Sequence, residues 1–259
     1  VQILLTNDDG IYAPGLAALE QQLQSLGDVQ VVAPLTEQSG VGHAITYLTP
    51  LMAREVFDGT RRRGWAVEGS PADCVKLAIA ELCPQRPDLV VSGINSGLNA
   101  GINVMYSGTV AAAIEGAFFG ITSIAVSLEY DEQARFDRAA DLAVPIIEQV
   151  LNQKEEQPQL FNLNLPAAAL DNPADVRVAP MSVAPWGEEF ERRKDPRNRS
   201  YFWATGEQPQ PPSHLDTDLT LLRKGHITLT PLKFDMTARS ELEAMKNWQL
   251  GTPFAQAKN

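Results

Sequence analysis

Short apolar runs alternate with longer amphipathic stretches through the first half of the chain. Ile3-Leu4-Leu5-Thr6 is a buried-type run that ends in the turn signature Asn7-Asp8-Asp9-Gly10. Pro14 then opens a helix in which Leu16, Leu19, Leu23 and Leu26 keep helical spacing, and Gly27 closes it. Val29 to Ala33 reads as a strand. Leu48 to Val56 and Trp65 to Val67 read as further strands flanking a loop from Asp58 to Gly64. Pro71 starts a second helix with Val75, Ala78, Ile79 and Leu82 on one stripe, and Leu89 to Val91 is the next strand. A helical run from Val110 to Phe119, a strand at Ile124 to Val126 and a helix from Phe136 to Leu151, bent at Pro145, complete this half. The alternation predicts an α/β fold, a Rossmann-like three-layer α/β/α arrangement around a mostly parallel sheet.

Past residue 155 the pattern changes. Strand candidates at Leu160 to Leu165, Val176 to Ala179, Tyr201 to Thr205 and Ile227 to Leu232 are separated by the charge-dense run Glu188 to Arg199 and the proline-rich run Gln208 to Ser213. Both runs read as loops or an extended arm, and a last helix is expected around Ser240 to Gln249. The division expected is a Rossmann-like α/β core over 1–155 and a C-terminal β-rich extension over 156–259. The extension, with a hairpin or arm and a terminal helix, suits oligomerisation.

Composition narrows the partners. The chain of 259 residues carries a net charge of −11, which argues against binding duplex nucleic acid through its phosphates. A small phosphorylated ligand stays open, because one local site can oppose the global field. The two cysteines, Cys74 and Cys83, fall on opposite faces of one expected helix and read as reduced thiols rather than a disulfide. No apolar run approaches the roughly 20 residues that span a bilayer. No basic run precedes the first apolar one, so no secretory leader is expected. A soluble, cytoplasmic protein is the expectation.

The polar residues then supply the chemistry. Asp8 and Asp9 follow the first strand, Ser39 lies shortly after the second, and Asn95 follows Leu89 to Val91. In an open parallel sheet these loops share the rim beyond the C-terminal strand ends, where ligands bind. Two carboxylates, a hydroxyl and a carboxamide form a hard oxygen set suited to Mg²⁺ or Mn²⁺. Read singly, Asp8-Asp9-Gly10 is also an ordinary turn and Ser39 a turn residue.

The run Ser92 to Asn103 repeats Gly and Asn every fourth position and disfavours a helix. A loop whose backbone approaches a ligand fits it better, with Asn99 among the side chains able to bind oxygen-rich groups. Ser107-Gly108-Thr109 opens the next helix, where amides and the positive dipole end suit an anion; Ser107 as a plain N-cap is the compatible alternative. His43, in the rim loop, is placed to donate a proton or is a surface residue. Arg192, Arg193, Lys194, Arg197 and Arg199 read as a solvated charged loop, or as groups reaching a phosphate or a partner subunit. The three histidines, His43, His214 and His226, have no metal-ligand spacing, so a His-rich zinc centre is not expected. Neither a Walker A loop, a G-x-G-x-x-G fingerprint nor a G-x-S-x-G elbow is present.

Thr6-Asn7-Asp8-Asp9-Gly10, Glu37-Gln38-Ser39-Gly40, Gly69 to Val75, Ser92 to Asn103 and Tyr106-Ser107-Gly108-Thr109 with Glu115-Gly116 resemble the SurE family in the same order. The second half is similar more loosely, through Asp216-Thr217-Asp218, Gly225 and Ile227 to Leu232. The resemblance implies a metal-dependent phosphatase acting on nucleoside monophosphates. It implies one divalent ion per subunit held by Asp8, Asp9, Ser39 and Asn95, and a phosphate contacted by Ser107, Gly108 and Thr109. It also implies a homodimer or homotetramer with exchanged C-terminal segments. Family members often end a D-x-T-A-H stretch in His, where this chain has Arg239 after Asp235-Met236-Thr237-Ala238.

The reaction expected is phosphomonoester hydrolysis by a 5′-nucleotidase, with 3′ activity open. Asp8, Asp9 and Asn95 would act at the reacting group, and Ser107, Gly108, Thr109, Asn99 and His43 would line the substrate site. Hydrolysis of polyphosphate ends at the same site is one rival reading. A metal-dependent nucleotide sensor without turnover is another, and an oligomerisation scaffold with an inert rim is a third.

Overall fold

A computed structural model describes residues 1–172, 175–185, 189–205, 214–248 and 250. Its spine is a nine-stranded sheet in the order β3-β4-β2-β1-β5-β6-β7-β11-β8. The strands are β1 (Gln2–Thr6), β2 (Asp28–Pro34), β3 (Ala53–Asp58), β4 (Arg61–Val67), β5 (Leu89–Ser96), β6 (Thr122–Leu128), β7 (Leu160–Leu165), β8 (Val176–Val178) and β11 (Ile227–Leu232). From β4 across to β7 every neighbouring pair is parallel, while β3 and β11 join antiparallel.

Helices α1 (Pro14–Leu23) and α4 (Phe136–Gln153) bury Leu16, Leu19, Leu23, Ala140 and Ile147 against Ile3, Leu5, Val91 and Ile124 on one face. Helices α2 (Pro71–Leu77) and α3 (Gly108–Phe118) cover the other, with Cys74, Val75 and Ala112 packed on Leu4, Val32 and Val90. The alternate burial of Ile3 and Leu4 on opposite faces is the period of a strand covered on both sides. The fold is the three-layer α/β/α arrangement expected, and the extension adds strands to the same sheet. Helix α4 runs unbroken through Pro145. Cys74 is buried, Cys83 half-buried, and both are free thiols. Among the described residues no helix is long and apolar enough to cross a membrane.

Several expectations are corrected. The strand expected from Leu48 begins only at Ala53, since residues 48–52 form a loop that includes Pro50; β4 starts at Arg61, in the expected loop. On an edge hairpin Arg61 and Arg62 face solvent, so low hydrophobicity does not disqualify them. Within the charged run Glu188 to Arg199, β9 (Phe190–Lys194) pairs antiparallel with β10 (Ser200–Ala204) in a hairpin apart from the main sheet. Every residue of these two strands is exposed, so no buried face imposes an alternation to read. The Gly/Asn run is not one loop, for β5 continues through Ser96 and Gly101–Met105 forms a 3₁₀ turn. The run Gln208 to Ser213 lies outside the described residues. Helix α5 (Asp218–Arg223) was not expected, and α6 (Arg239–Met245) is shorter than the expected terminal helix, whose last position, Gln249, lies outside the described residues.

Candidate active site

Strand β1 pairs with β2 on one side and β5 on the other, so the chain winds outward from it in both directions. The crevice beyond the C-terminal ends of β1 and β5 is the ligand position that this reversal creates. A cleft of about 540 Å³ lies there, lined by Asp8, Asp9, Glu37, Ser39, Asn95, Asn99, Asn103, Tyr106, Ser107 and Tyr130 among others.

Each wall is held by its own bonds. After β1, the Asn7 side chain closes a turn by donating to the Gly10 carbonyl at 3.0 Å and accepting from the Gly10 N–H at 3.2 Å. Gly10 has φ +101°, a conformation that glycine adopts without strain. The Asp8 carbonyl accepts from the Gln38 N–H at 2.8 Å, which ties the loop carrying Ser39 to the turn carrying the two aspartates. In β5 the register with β6 breaks between Ser92 and Asn95. The Asn95 amide nitrogen donates to the Gly97 carbonyl at 2.7 Å, so its oxygen remains for a ligand.

Thr109 donates to the buried Asp8 carboxylate through both its hydroxyl and its N–H. Ser107 caps α3 by accepting from the Val110 N–H at 3.1 Å, which leaves the Gly108 N–H at the helix start. Burial still pushes the Asp8 carboxyl above its ordinary value. Burial, and then the neighbouring Asp8 charge, raise Asp9 to about 6, against a bond from the Ser96 N–H; Glu37 adds repulsion to both. No Lys, Arg or His among the described residues lines the cleft. Three acidic side chains with no basic partner suit a cation, and bound there it would remove the cost of ionising the pair.

The donor set fits a hard divalent ion. Asp8 and Asp9 offer carboxylates, Asn95 its free amide oxygen, and Ser39 a hydroxyl whose proton goes to Glu37 at 2.5 Å. Among the described residues no three His, Cys, Asp or Glu side chains gather as a metal cluster, so this set depends on neutral oxygens to complete it.

Asn99 lines the cleft but is tethered. Its side chain donates to Ser127 at 2.9 Å, and its backbone is held by Asn162 and Asn164. His43 does not line the cleft; its ring lies against α3, bonded to Glu115. Arg192, Arg193, Lys194 and Arg199 are paired within or beside the β9–β10 hairpin, and neither they nor Arg197 reach the cleft. Arg239 pairs with Asp235.

Sequence reasoning missed Glu37, Tyr106 and Tyr130 as lining residues, and the buried Asp218, whose carboxylate accepts from the Gly101 N–H at 2.7 Å and the Ser182 N–H at 2.8 Å. Glu37 stands two residues before Ser39, a spacing that could have marked it.

Residues 3–188 match the family model described as survival protein SurE. The chain belongs to the SurE family. The 5′-nucleotidase SurE of Rhodopirellula baltica is 57% identical over 251 residues, covering 96% of this chain and 99% of that protein. The 5′-nucleotidase SurE of Desulforudis audaxviator is 43% identical, covering 96% and 97%. The crystal structure of the SurE protein from Aquifex aeolicus superposes with a TM-score of 0.84 at 36% identity, covering 95% of this chain and 98% of that one. The SurE motifs that hold Asp8-Asp9, Ser39, Asn95 and Ser107 fall on the walls of the cleft, while Gly69 to Val75 and Glu115-Gly116 lie outside it.

Proposed function

We propose that this SurE chain is a divalent-metal-dependent 5′-nucleotidase that hydrolyses nucleoside monophosphates, R–O–PO₃²⁻ + H₂O → R–OH + HPO₄²⁻. The observation that carries the reading is the cleft itself, in which Asp8, Asp9, Ser39 and Asn95 face the start of α3 with no basic side chain of the described residues on its walls. A phosphate dianion beside three acidic residues needs a cation between them.

Asp8, Asp9, Ser39 and Asn95 hold the ion, which when bound supplies Lewis acidity to the phosphoryl group and acidifies the attacking water. Asp9, freer than Asp8, orients that water. The Ser107 hydroxyl and the Gly108 N–H stabilise charge developing on the equatorial oxygens, Asn95 acts through the ion, and Thr109 acts through Asp8. Tyr106 and Tyr130, both largely exposed on the cleft wall, offer faces for the nucleoside. Phosphate release from nucleoside 5′- and 3′-monophosphates and short polyphosphate, each with Mg²⁺, Mn²⁺ or EDTA, tests the reading. Saturable nucleotide and metal binding without release would instead make the protein a sensor.

The hairpin exposes Phe190, Tyr201, Phe202 and Trp203. Exchange of C-terminal segments between copies covers such apolar surface and makes a homodimer or homotetramer, to be checked by light scattering. The free cysteines suit a reducing cytoplasm.

A further inference from the structure

Residues 35–52, between β2 and β3, bring Ser39 to the cleft without forming a helix or strand, and none of them is buried. Leu35 and Leu51 pack the two ends of the loop on the cores, and between them specific bonds hold its shape. Its backbone is tied at several points: Gly42 N–H to the Tyr106 carbonyl at 3.0 Å, the Ala44 carbonyl to the Ser70 hydroxyl at 2.6 Å, and Thr46 N–H to the Asp73 carboxylate at 2.9 Å.

Among the hydrogen bonds made by side chains of this loop, the one from His43 reaches another element. Its Nε2 meets Glu115 Oε2 at 2.7 Å, and its ring stacks on Phe118 at 5.3 Å between centroids and 12° between planes. Glu115 and Phe118 stand one turn apart on α3, so the imidazole docks on a single helix face. The Glu115 side chain is only 5% exposed, and its other oxygen accepts from Lys76 Nζ at 3.3 Å. A buried carboxylate is costly without close donors, so the shorter of its two contacts gives this docking its strength. Helix α3 also begins at Ser107–Thr109. The loop that carries Ser39 and the helix that fixes Asp8 are therefore referenced to one another through Glu115.

We propose that His43 and Glu115 are positioning residues, a latch that fixes residues 35–52 on α3 and holds Ser39 at its place in the cleft. The consequence for metal binding rests on the function proposed above; the latch itself does not. The test uses the whole chain without substrate, comparing wild type, His43→Ala and His43→Gln by amide hydrogen exchange and by titration with Mn²⁺. In His43→Ala, amides of residues 38–46 should exchange at least about ten-fold faster while sheet and α3 amides keep their protection, and Mn²⁺ affinity should fall roughly ten-fold. His43→Gln, which keeps a donor for Glu115, should recover most of both. Unchanged exchange over 38–46, a loosened loop with unchanged Mn²⁺ affinity, or no recovery in His43→Gln would each overturn the latch. A wild-type chain that takes up no Mn²⁺ would count against the metal reading alone, and the exchange comparison would then decide the latch by itself.

Discussion

Thr109 gives both its hydroxyl and its N–H to Asp8, joining the first residue of the cleft to the start of α3 across 101 positions of sequence. The two bonds oppose the effect of burial on Asp8 and fix the direction in which the carboxylate points. Thr109→Val keeps the packing volume and removes the hydroxyl. A hydrogen bond to a charged group is worth about 1.5–3 kcal/mol, so kcat/KM should fall by roughly ten- to a hundred-fold. Thr109→Ser should retain most of the activity.

The acidic pair makes the metal-free protein pH-sensitive. Asp9 has its folded-state value raised to about 6, above the ordinary carboxylate value of the unfolded chain. Between the two values the folded state holds more protons, so stability falls as pH rises through that window and levels off above it. Thermal unfolding in EDTA should therefore show a midpoint that declines from about pH 4 to about pH 6. Asp9→Asn should raise the metal-free midpoint at pH 7.5, flatten the decline and abolish the rise that Mn²⁺ should cause in wild type.

Gly108 is a steric requirement. A Cβ there would lie 2.9 Å from Asp8 Cβ, 3.0 Å from its Oδ2 and 3.1 Å from Pro71 Cγ. Alanine is a better helix former than glycine by about 1 kcal/mol, so α3 itself has no reason to refuse it. Gly108→Ala should displace Asp8 and cost on the order of a hundred-fold in kcat, with a thermal midpoint within a few degrees of wild type.

Under the proposed function Tyr130 would contact the nucleoside and not the phosphate. Stacking of a base on an aromatic side chain is worth about 1–3 kcal/mol, so Tyr130→Ala should raise KM for a nucleoside monophosphate about ten-fold. Steady-state kinetics on ribose 5-phosphate, which has no base, should be unchanged in the same variant. Equal losses on both substrates would remove Tyr130 from nucleoside recognition.

The parts of the cleft that could be read from the sequence are those that follow a strongly apolar strand. Asp8, Asp9 and Asn95 lie just past such runs, and sheet topology carries them to one rim. Ser107 was legible as a cap whichever role it also has. Glu115 lies inside a helical run and gives no sign of which loop will cover it. Tyr130 and Tyr106 are exposed aromatics without periodicity, and only the parallel pairing of β5 with β6 brings the segments that follow them to one rim. Asp218 braces Gly101 from the far half of the chain, a contact that no local pattern encodes. Strand β9 escaped notice because both of its faces meet solvent.

The ring stacked on His43 has another neighbour. Phe234, just past β11, meets Phe118 edge-on at 4.8 Å between centroids. Phe118 thus stands between the loop bearing Ser39 and the segment that leads to the C-terminus. Phe234→Ala should loosen residues 38–46 to amide exchange, though less than His43→Ala does. If the latch holds, a partner that grips the segment past β11 would act on the mouth of the cleft through Phe234, Phe118 and His43.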